Sequence, residues 1–297
     1  MISHNLINTT IQIKQYIENR ALFSVLLNFN CAIIKGEALS ILAYNQTGKR
    51  KCSDIDILLP KSLLSKIELL LQQNGFTSIP FSRSERILML SFSHQVSPWH
   101  KRLHPFGSNV IDLNFDLFWG EYEGKRIDVS EFLSDTIEID IYGCKVKTLP
   151  PLKAMVQLFL HHYKEMNSIY HLAGHNCINY NMFKDVYYLW KNNKEDVSLD
   201  KLYAISSEYE IIPYVFYVLY FTNWIFKDRE LQKYVETFRT LEGEARLDYY
   251  GLTEKECKPW KVDFQTRLEA DSLYEFIRND LTEADIEKLE RNRRIFG

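Results

Sequence analysis

The amino-acid sequence predicts an α+β protein in which an N-terminal mixed β-sheet with helices is followed by a mostly α-helical C-terminal domain. Short β-branched or apolar runs separated by turn residues fill residues 31–150, as expected for strands. Beyond Pro150-Pro151 the apolar residues recur only at helical spacing. A proline restricts the residue before it and suits the first turn of a following helix. We therefore predict two domains, 1–149 and 150–297.

The composition is that of a globular protein. Hydrophobic residues make up 46% and charged residues 25% of the 297 residues, with only 11 Gly and 8 Pro. These values exclude a disordered or collagen-like chain. The formal charge of −3 provides no general attraction for nucleic acid or an anionic membrane.

The sequence also predicts a cytoplasmic protein. Its five cysteines include no Cys-x-x-Cys spacing, so a disulfide framework is not expected. The first residues lack the basic and apolar regions of a secretory signal. The most apolar stretch, Pro213–Phe226, is about 14 residues long, whereas a bilayer-spanning helix needs roughly 20. No membrane partner is expected.

The first half is predicted to contain one sheet and several helices. Apolar residues at helical spacing predict an opening helix from Thr9 to Phe29. Further helices are predicted for Glu37–Tyr44 and Lys61–Asn74. The polar, histidine-containing segment around Trp99 is interpreted as an irregular surface loop. The predicted strands are Ala32–Lys35, Asp54–Leu59, Phe76–Phe81, Arg86–Phe92, Asn109–Phe118 and Thr136–Tyr142.

The second half is predicted to be helical throughout. Its aromatic run from Tyr214 to Trp224 is interpreted as helix core. The predicted helices are Leu152–Glu165, Tyr180–Asn192, Leu199–Tyr209, Tyr214–Phe226, Glu230–Arg239 and Asp271–Phe296.

Two carboxylates in one predicted strand are the first candidates for chemistry. Side chains alternate between the faces of a strand, so Asp54 and Asp56 share one face with Cα atoms roughly 6.6 Å apart. Such neighbours repel, and the pKa of one is raised unless a cation compensates the charge. Mg²⁺ prefers hard oxygen ligands and usually takes one or two protein carboxylates plus substrate phosphates. The pair therefore predicts a divalent-cation site.

A later strand offers a third carboxylate. In Asn109–Phe118 the apolar residues occupy one face, while Asp112, Asn114 and Asp116 share the other. From the alternation alone, either Asp112 or Asp116 is able to join Asp54 and Asp56.

A glycine turn upstream is a candidate phosphate site. Lys35-Gly36 ends a predicted strand just before a helix, where the first helical N–H groups are able to face an anion. The turn is neither a Gly-x-x-x-x-Gly-Lys-Ser/Thr loop nor a Gly-x-Gly-x-x-Gly loop. Lys35 and the basic run Lys49, Arg50 and Lys51 are placed to steady a triphosphate or a departing pyrophosphate.

These motifs together resemble the nucleotidyltransferase superfamily, which has the DNA polymerase β-like fold. That superfamily has a glycine turn between a strand and a helix, an Asp-x-Asp strand and a later strand carboxylate. More narrowly, Lys35-Gly36 and the strand Asp54-Ile-Asp56-Ile-Leu-Leu resemble an uncharacterised bacterial nucleotidyltransferase-like family with Lys-Gly and Asp-Ile-Asp-Leu-Leu motifs. In that family a Val-Asp-Leu-His-Trp-like strand follows, which selects Asp112 as the third carboxylate.

The resemblance implies a metal-dependent transfer of a nucleoside monophosphate from an NTP, most simply ATP, with release of pyrophosphate. The implied cofactor is Mg²⁺, or Mn²⁺ in its place. The preferred acceptor is a small molecule or a protein or peptide, and long nucleic acid is less favoured because the chain lacks a broad basic stripe. The implied catalytic and metal-binding residues are Asp54, Asp56 and Asp112, and the implied nucleotide-binding residues are Lys35, Gly36, Ser40, Arg50, His162 and Lys164.

Two other hypotheses stay open at this level. Glu37 follows Gly36 where the superfamily commonly has Ser or Gly, and an acidic group beside a triphosphate weakens binding unless it points away. If Glu37 prevents turnover, the chain is a non-catalytic module that binds a nucleotide or a partner. Alternatively, it is a helical interaction protein whose carboxylates are surface groups.

Overall fold

The computed structural model describes residues 4–105, 107–174 and 177–296. They form two compact units. The first unit comprises the described residues up to Leu117, together with Ile127–Ala154 and Lys191–Asn193. The second comprises Phe118–Arg126, Met155–Trp190 and the described residues from Lys194 onward.

The first unit begins with two helices where the sequence predicted one. Helix α1 spans His4–Glu18 and α2 spans Arg20–Leu26. Asn19 separates them with φ −101° and ψ 9°, which is outside the helical region. Asparagine also has a low intrinsic helix propensity, and the predicted single helix Thr9–Phe29 is wrong.

A four-stranded mixed sheet forms the centre of the first unit. Its strands are β1 (Ala32–Ile34), β2 (Asp54–Leu58), β3 (Trp99–Leu103) and β4 (Gly107–Asn114), in the order β1-β2-β4-β3. Strands β2 and β4 are parallel, and the other two pairs are antiparallel. Ile55, Ile57, Ile111 and Leu113 on one face are at most 2% exposed. The predicted α+β class with a mixed sheet is confirmed.

Helices connect the strands of this sheet. Helix α3 (Gly36–Tyr44) joins β1 to the loop before β2, and a 3₁₀ turn (Lys61–Leu63) precedes α4 (Leu64–Gln73). Helix α5 (Arg83–Phe92) occupies a segment predicted as the strand Arg86–Phe92.

The strand prediction for Arg86–Phe92 is wrong because a capping box starts a helix there. Ser82 Oγ accepts from Glu85 N, and Glu85 Oε2 accepts from Ser82 N at 2.8 Å. This pairing satisfies two N–H groups at the helix start. A short apolar run does not by itself distinguish strand from helix.

Two further predictions around β3 are also wrong. The segment interpreted as a loop contains β3, whose end residues Trp99 and Leu103 are buried while the polar residues between them are more exposed. The predicted strand Phe76–Phe81 forms only one bridge, between Thr77 and His100.

A separate hairpin completes the first unit. It consists of β5 (Ile137–Ile141) and β6 (Cys144–Thr148), preceded by the short helix α6 (Val129–Phe132). The predicted strand at Thr136–Tyr142 is therefore present but does not belong to the main sheet. Thr148 Oγ1 donates to Ile33 O at 2.8 Å, which attaches β6 to the edge strand β1.

The second unit is mostly helical and has an aromatic core. In the helix Ile212–Phe226, Phe216 and Tyr217 are fully buried, whereas Trp224 is 42% exposed. Within the described residues, no helix combines the length and apolarity needed to cross a membrane. The helices are α7 (Pro151–Asn167), α8 (Ile169–Ala173), α9 (Tyr180–Asn192), α10 (Leu199–Glu208), α11 (Ile212–Phe226), α12 (Arg229–Phe238) and α13 (Leu241–Leu247). The first residues of α7 and the last residues of α9 belong to the first unit.

The C-terminal part is more broken than predicted. A two-residue strand pair, β7 (Tyr249–Tyr250) and β8 (Lys258–Pro259), precedes α14 (Phe264–Glu269). The predicted helix Asp271–Phe296 is divided into α15 (Tyr274–Ile277), a 3₁₀ turn and α16 (Glu283–Phe296). Thr282 separates them, because its hydroxyl and N–H both bond Asp285 at the start of α16.

Candidate functional site

Three carboxylates share one face of the sheet in the first unit. The parallel register of β2 and β4 pairs Asp56 with Asp112, and Asp54 with Val110. Adjacent strands lie about 4.8 Å apart and register partners point to the same side. Asp56 and Asp112 are therefore side by side, with Asp54 two residues earlier on the same face of β2.

Burial and mutual repulsion disfavour negative charge on this face. Burial, followed by the charges of Asp56 and Asp54, raises the pKa of Asp112 to about 7, although Lys35 opposes the shift. Burial and the charge of Asp56 also raise the pKa of Asp54, which Lys35 and Arg50 lower again. The Oδ1 atom of Asp112 is buried and has no hydrogen-bond partner among the described residues.

Lys35 supplies the positive charge nearest to the carboxylates. Its Nζ lies 2.8 Å from Asp56 Oδ1, and both side chains are largely buried. Asn114 Nδ2 donates to the same oxygen at 3.2 Å. The two contacts converge on Oδ1, so Asp56 Oδ2 is the oxygen of this carboxylate that they leave to other ligands.

The turn that carries Lys35 has an unusual backbone. Ile34, the last residue of β1, pairs with Asp56, so the turn begins opposite the carboxylates. Lys35 has φ 57° and ψ −151°, and Gly36 has φ 45°. A side chain at such values costs of order 1–3 kcal/mol, a strain that clusters at functional sites. Helix α3 then begins without a side-chain cap.

The Glu37 carboxylate is bound by groups outside the turn. The residue is fully buried, and its carboxylate accepts from Gly48 N at 2.8 Å and from the Tyr142 hydroxyl at 2.7 Å. Burial raises the pKa of Glu37, while these two hydrogen bonds and nearby Arg50 lower it. The two hydrogen bonds therefore engage the Glu37 carboxylate with Gly48 and Tyr142, and the binding of phosphate beside it stays a prediction.

Ser40 binds the loop between α3 and β2. Its hydroxyl donates to Gln46 O at 2.7 Å and accepts from Lys49 N at 3.1 Å. A phosphate that accepted a hydrogen bond from the Ser40 hydroxyl would replace Gln46 O as its acceptor. The contact of Ser40 with phosphate stays a prediction.

Two residues of this region were missed by the sequence analysis. Gln12 and Gln15 of α1 are each 1% exposed. Gln12 Nε2 contacts Arg50 O and Cys52 Sγ, both at 2.8 Å, and Gln15 Nε2 donates to Ser53 O at 3.1 Å. The sequence feature that indicates them is a pair of glutamines three residues apart, on a helix face that also carries the buried Tyr16.

The structure does not assign all predicted site residues to one unit. Lys35, Gly36, Ser40, Arg50 and the three aspartates belong to the first unit. His162 and Lys164 lie on α7 in the second unit, where they are 3% and 7% exposed. Their contact with a nucleotide stays a prediction.

The chemistry of the donor set fits a hard divalent cation. Within the described part of the chain, no three or more His, Cys, Asp or Glu side chains already form an arrangement that holds a metal ion. Mg²⁺ usually needs only one or two protein carboxylates, since water and phosphate complete its octahedron. The unpartnered Oδ1 of Asp112 beside the Asp56 carboxylate meets that requirement.

The sequence profile of a family described as "Uncharacterised nucleotidyltransferase" matches residues 5–227. No curated protein matches the chain. Among solved structures, the chain is similar to an antigenic nucleotidyltransferase-like protein from Paracoccidioides brasiliensis, at 14% identity over 69% of this chain and 91% of that one, with a TM-score of 0.36. It is also similar to ANT(2")-Ia in complex with adenylyl-2"-tobramycin, at 14% identity over 66% and 98%, with a TM-score of 0.40.

Proposed function

Because the chain belongs to the uncharacterised nucleotidyltransferase family, we propose that it moves a nucleoside monophosphate from an NTP to an acceptor and releases pyrophosphate. The observation that carries the proposal is the shared face of Asp54, Asp56 and Asp112, where a buried carboxylate oxygen lacks a partner among the described residues. ATP is the proposed donor.

In the proposed reaction a nucleophilic atom of the acceptor forms a bond to the α-phosphorus. The bond from the α-phosphorus to the bridging oxygen of the β-phosphate breaks, and its electron pair leaves with pyrophosphate. The proton of the acceptor passes to solvent. Catalysis of this type depends mainly on positioning and on compensation of charge.

The three aspartates are the proposed ligands of Mg²⁺, or of Mn²⁺ in its place. Such an ion, when bound, neutralises the triphosphate and polarises the reacting oxygens. Asn114 orients Asp56 through Oδ1, which keeps Oδ2 available. The raised pKa of Asp112 is consistent with a carboxylate that lacks its counter-ion, because a bound cation favours the ionised form.

The turn and the basic loop are the proposed phosphate site. Gly36 admits phosphate to the first turn of α3, since its backbone carries no side chain and the helix has no side-chain cap. Arg50 lies close enough to Asp54 to lower the pKa of that carboxyl, and its guanidinium suits a phosphate geometrically. Lys49 and Lys51 of the same loop are exposed.

The acceptor is proposed to be a small molecule or a protein or peptide. The formal charge of −3 gives no broad basic surface, whereas proteins that bind long nucleic acid neutralise many phosphates.

The proposal is tested with radiolabelled ATP, Mg²⁺ and panels of small-molecule and protein acceptors. Asp56→Asn is compared with wild type and with Glu138→Gln, which changes an exposed carboxylate in a similar acidic strand. Transfer by wild type and by Glu138→Gln, reduced at least about 100-fold in Asp56→Asn, supports the enzyme. Metal-dependent nucleotide binding without transfer to any acceptor supports the non-catalytic binding module instead.

A further inference from the structure

Helix α1 binds the main chain that leads into Asp54. The Gln12 amide has two hydrogens, and its nitrogen contacts Arg50 O and Cys52 Sγ, so that one side chain spans Lys51. Gln15 adds a contact to Ser53 O. Buried polar groups that bond main chain in this way fix its conformation.

This short segment links the two halves of the candidate site. Arg50, at its start, influences the pKa of both Glu37 and Asp54. Cys52, in its middle, lies against the glycine turn, where a Cβ on Gly36 would be 3.5 Å from Cys52 Sγ. Asp54 follows two residues later. The segment therefore contacts the glycine turn at Cys52 and leads directly into the first carboxylate.

Other buried side chains hold the earlier part of the same loop. Glu37 accepts from Gly48 N, and Ser40 bonds both Gln46 O and Lys49 N. The loop is thus bound through its main chain at several points, and Gln12 and Gln15 bind the part from Arg50 to Ser53 that directly precedes Asp54. Binding of a ligand to a loop that is already ordered avoids the entropy cost of ordering that loop.

We propose that Gln12 is a positioning residue for the triphosphate, which it serves by fixing Arg50 and Cys52 relative to the Gly36 turn and Asp54. This inference rests on the proposed function. It assigns to Gln12 no contact with substrate, and it predicts a loss of affinity that depends on the β- and γ-phosphates.

The test measures binding of a nonhydrolysable ATP analogue with Mn²⁺, and of AMP, by calorimetry. Gln12→Met keeps the length of the side chain but removes both donors. Gln73→Met makes the same change at an exposed glutamine of α4 and serves as the matched control. Gln15→Met removes the neighbouring contact. Thermal unfolding of every variant is recorded in parallel.

We expect Gln12→Met to bind the triphosphate analogue about tenfold more weakly, which corresponds to roughly 1.4 kcal/mol, with AMP affinity changed less than about twofold. Gln73→Met should match wild type. Equal triphosphate binding by Gln12→Met and wild type overturns the positioning role, as does an equal loss for AMP and the triphosphate.

Two further outcomes are also decisive. If Gln12→Met does not fold, Gln15→Met decides: selective weakening of triphosphate binding supports the positioning role of this helix face, and unchanged binding overturns it. If wild type itself binds no triphosphate with Mn²⁺, the proposed function fails, and the inference fails with it. That result is distinguished from a failure of Gln12 alone, in which wild type binds.

Discussion

The hydroxyl of Tyr142 donates a 2.7 Å hydrogen bond to the carboxylate of Glu37, although the two residues are 105 positions apart in the chain. Tyr142 follows β5 in the turn of the hairpin, and Glu37 lies in the first turn of α3. The bond, together with that from Gly48 N, fixes the position of a buried acidic side chain next to Gly36 in the sequence.

The first prediction concerns this bond. Tyr142→Phe removes a donor from a buried carboxylate, which should lower the free energy of unfolding by about 1–3 kcal/mol. The Tyr142 bond lowers the pKa of Glu37, so its loss raises that pKa further. A raised pKa in the folded state favours the protonated form, so stability is lost as pH rises through it.

Urea unfolding at several pH values checks this prediction. The deficit of Tyr142→Phe should be smaller near pH 4 than at pH 8. Tyr249→Phe, at an exposed tyrosine, is the control. A deficit that does not vary with pH would show that the hydroxyl does not stabilise the Glu37 carboxylate.

The second prediction uses the contact between Lys35 and Asp56. Lys35→Met removes the ammonium from a face with three carboxylates, so Mn²⁺ alone should bind several-fold more tightly at pH 8. The same change removes a proposed phosphate ligand, so a triphosphate analogue should bind more weakly. Calorimetry with each ligand measures the two effects.

The Lys35 test is specific because the affinities for Mn²⁺ and for the triphosphate analogue should change in opposite directions. Lys145→Met, at an exposed lysine of β6, should change neither affinity. Parallel changes of both affinities in Lys35→Met, in either direction, would contradict the assignment of Lys35 to both groups.

The third prediction is the pH dependence of Asp112. Its pKa is raised to about 7 by burial and by Asp56 and Asp54, so the folded protein retains a proton that the unfolded chain releases near pH 4. The associated stability is present below that pH and is lost as pH rises toward and through 7. Asp112→Asn should not lose stability in this way, because asparagine does not ionise.

Thermal unfolding in chelator should therefore show similar stability for both proteins at low pH. Near pH 8, Asp112→Asn should be more stable by roughly 1 kcal/mol, equivalent to about 2–4 °C. Added Mg²⁺ should stabilise wild type and not the variant. A variant that is less stable than wild type at pH 8 without metal would be inconsistent with repulsion at this site.

The fourth prediction separates backbone strain from space at Gly36. A Cβ there makes only ordinary contacts, the nearest at 3.5 Å, but φ is 45°. Gly36→Ala should therefore cost roughly 1–2 kcal/mol through its backbone and should also weaken triphosphate binding.

Gly75→Ala is the matched control for Gly36, because Gly75 has φ 82° and a Cβ there would make only an ordinary contact, with Lys101 Cε at 3.9 Å. Both variants should lose stability in urea unfolding, and only Gly36→Ala should lose affinity. An affinity loss in both would indicate a general effect of destabilisation.

Several elements follow from local sequence alone. Alternation predicts that Asp54 and Asp56 share one face, and a glycine between a predicted strand and a predicted helix predicts the start of α3. These features depend on the geometry of a few consecutive residues. The prediction failed at Arg86–Phe92, where an apolar run suits both strand and helix, and at Trp99–Leu103, where pairing with β4 stabilises a polar strand.

The amino-acid sequence by itself determined the α+β class, the common face of Asp54 and Asp56, and the turn at Gly36. Tertiary structure decided that β2 and β4 pair in a parallel register with Asp56 beside Asp112, that Glu37 bonds Tyr142, and that Gln12 bonds the segment before Asp54. The physical reason is the separation in sequence of the residues that interact. Periodicity reports the faces of one element, whereas strand register and buried hydrogen bonds depend on which distant residues fold against it.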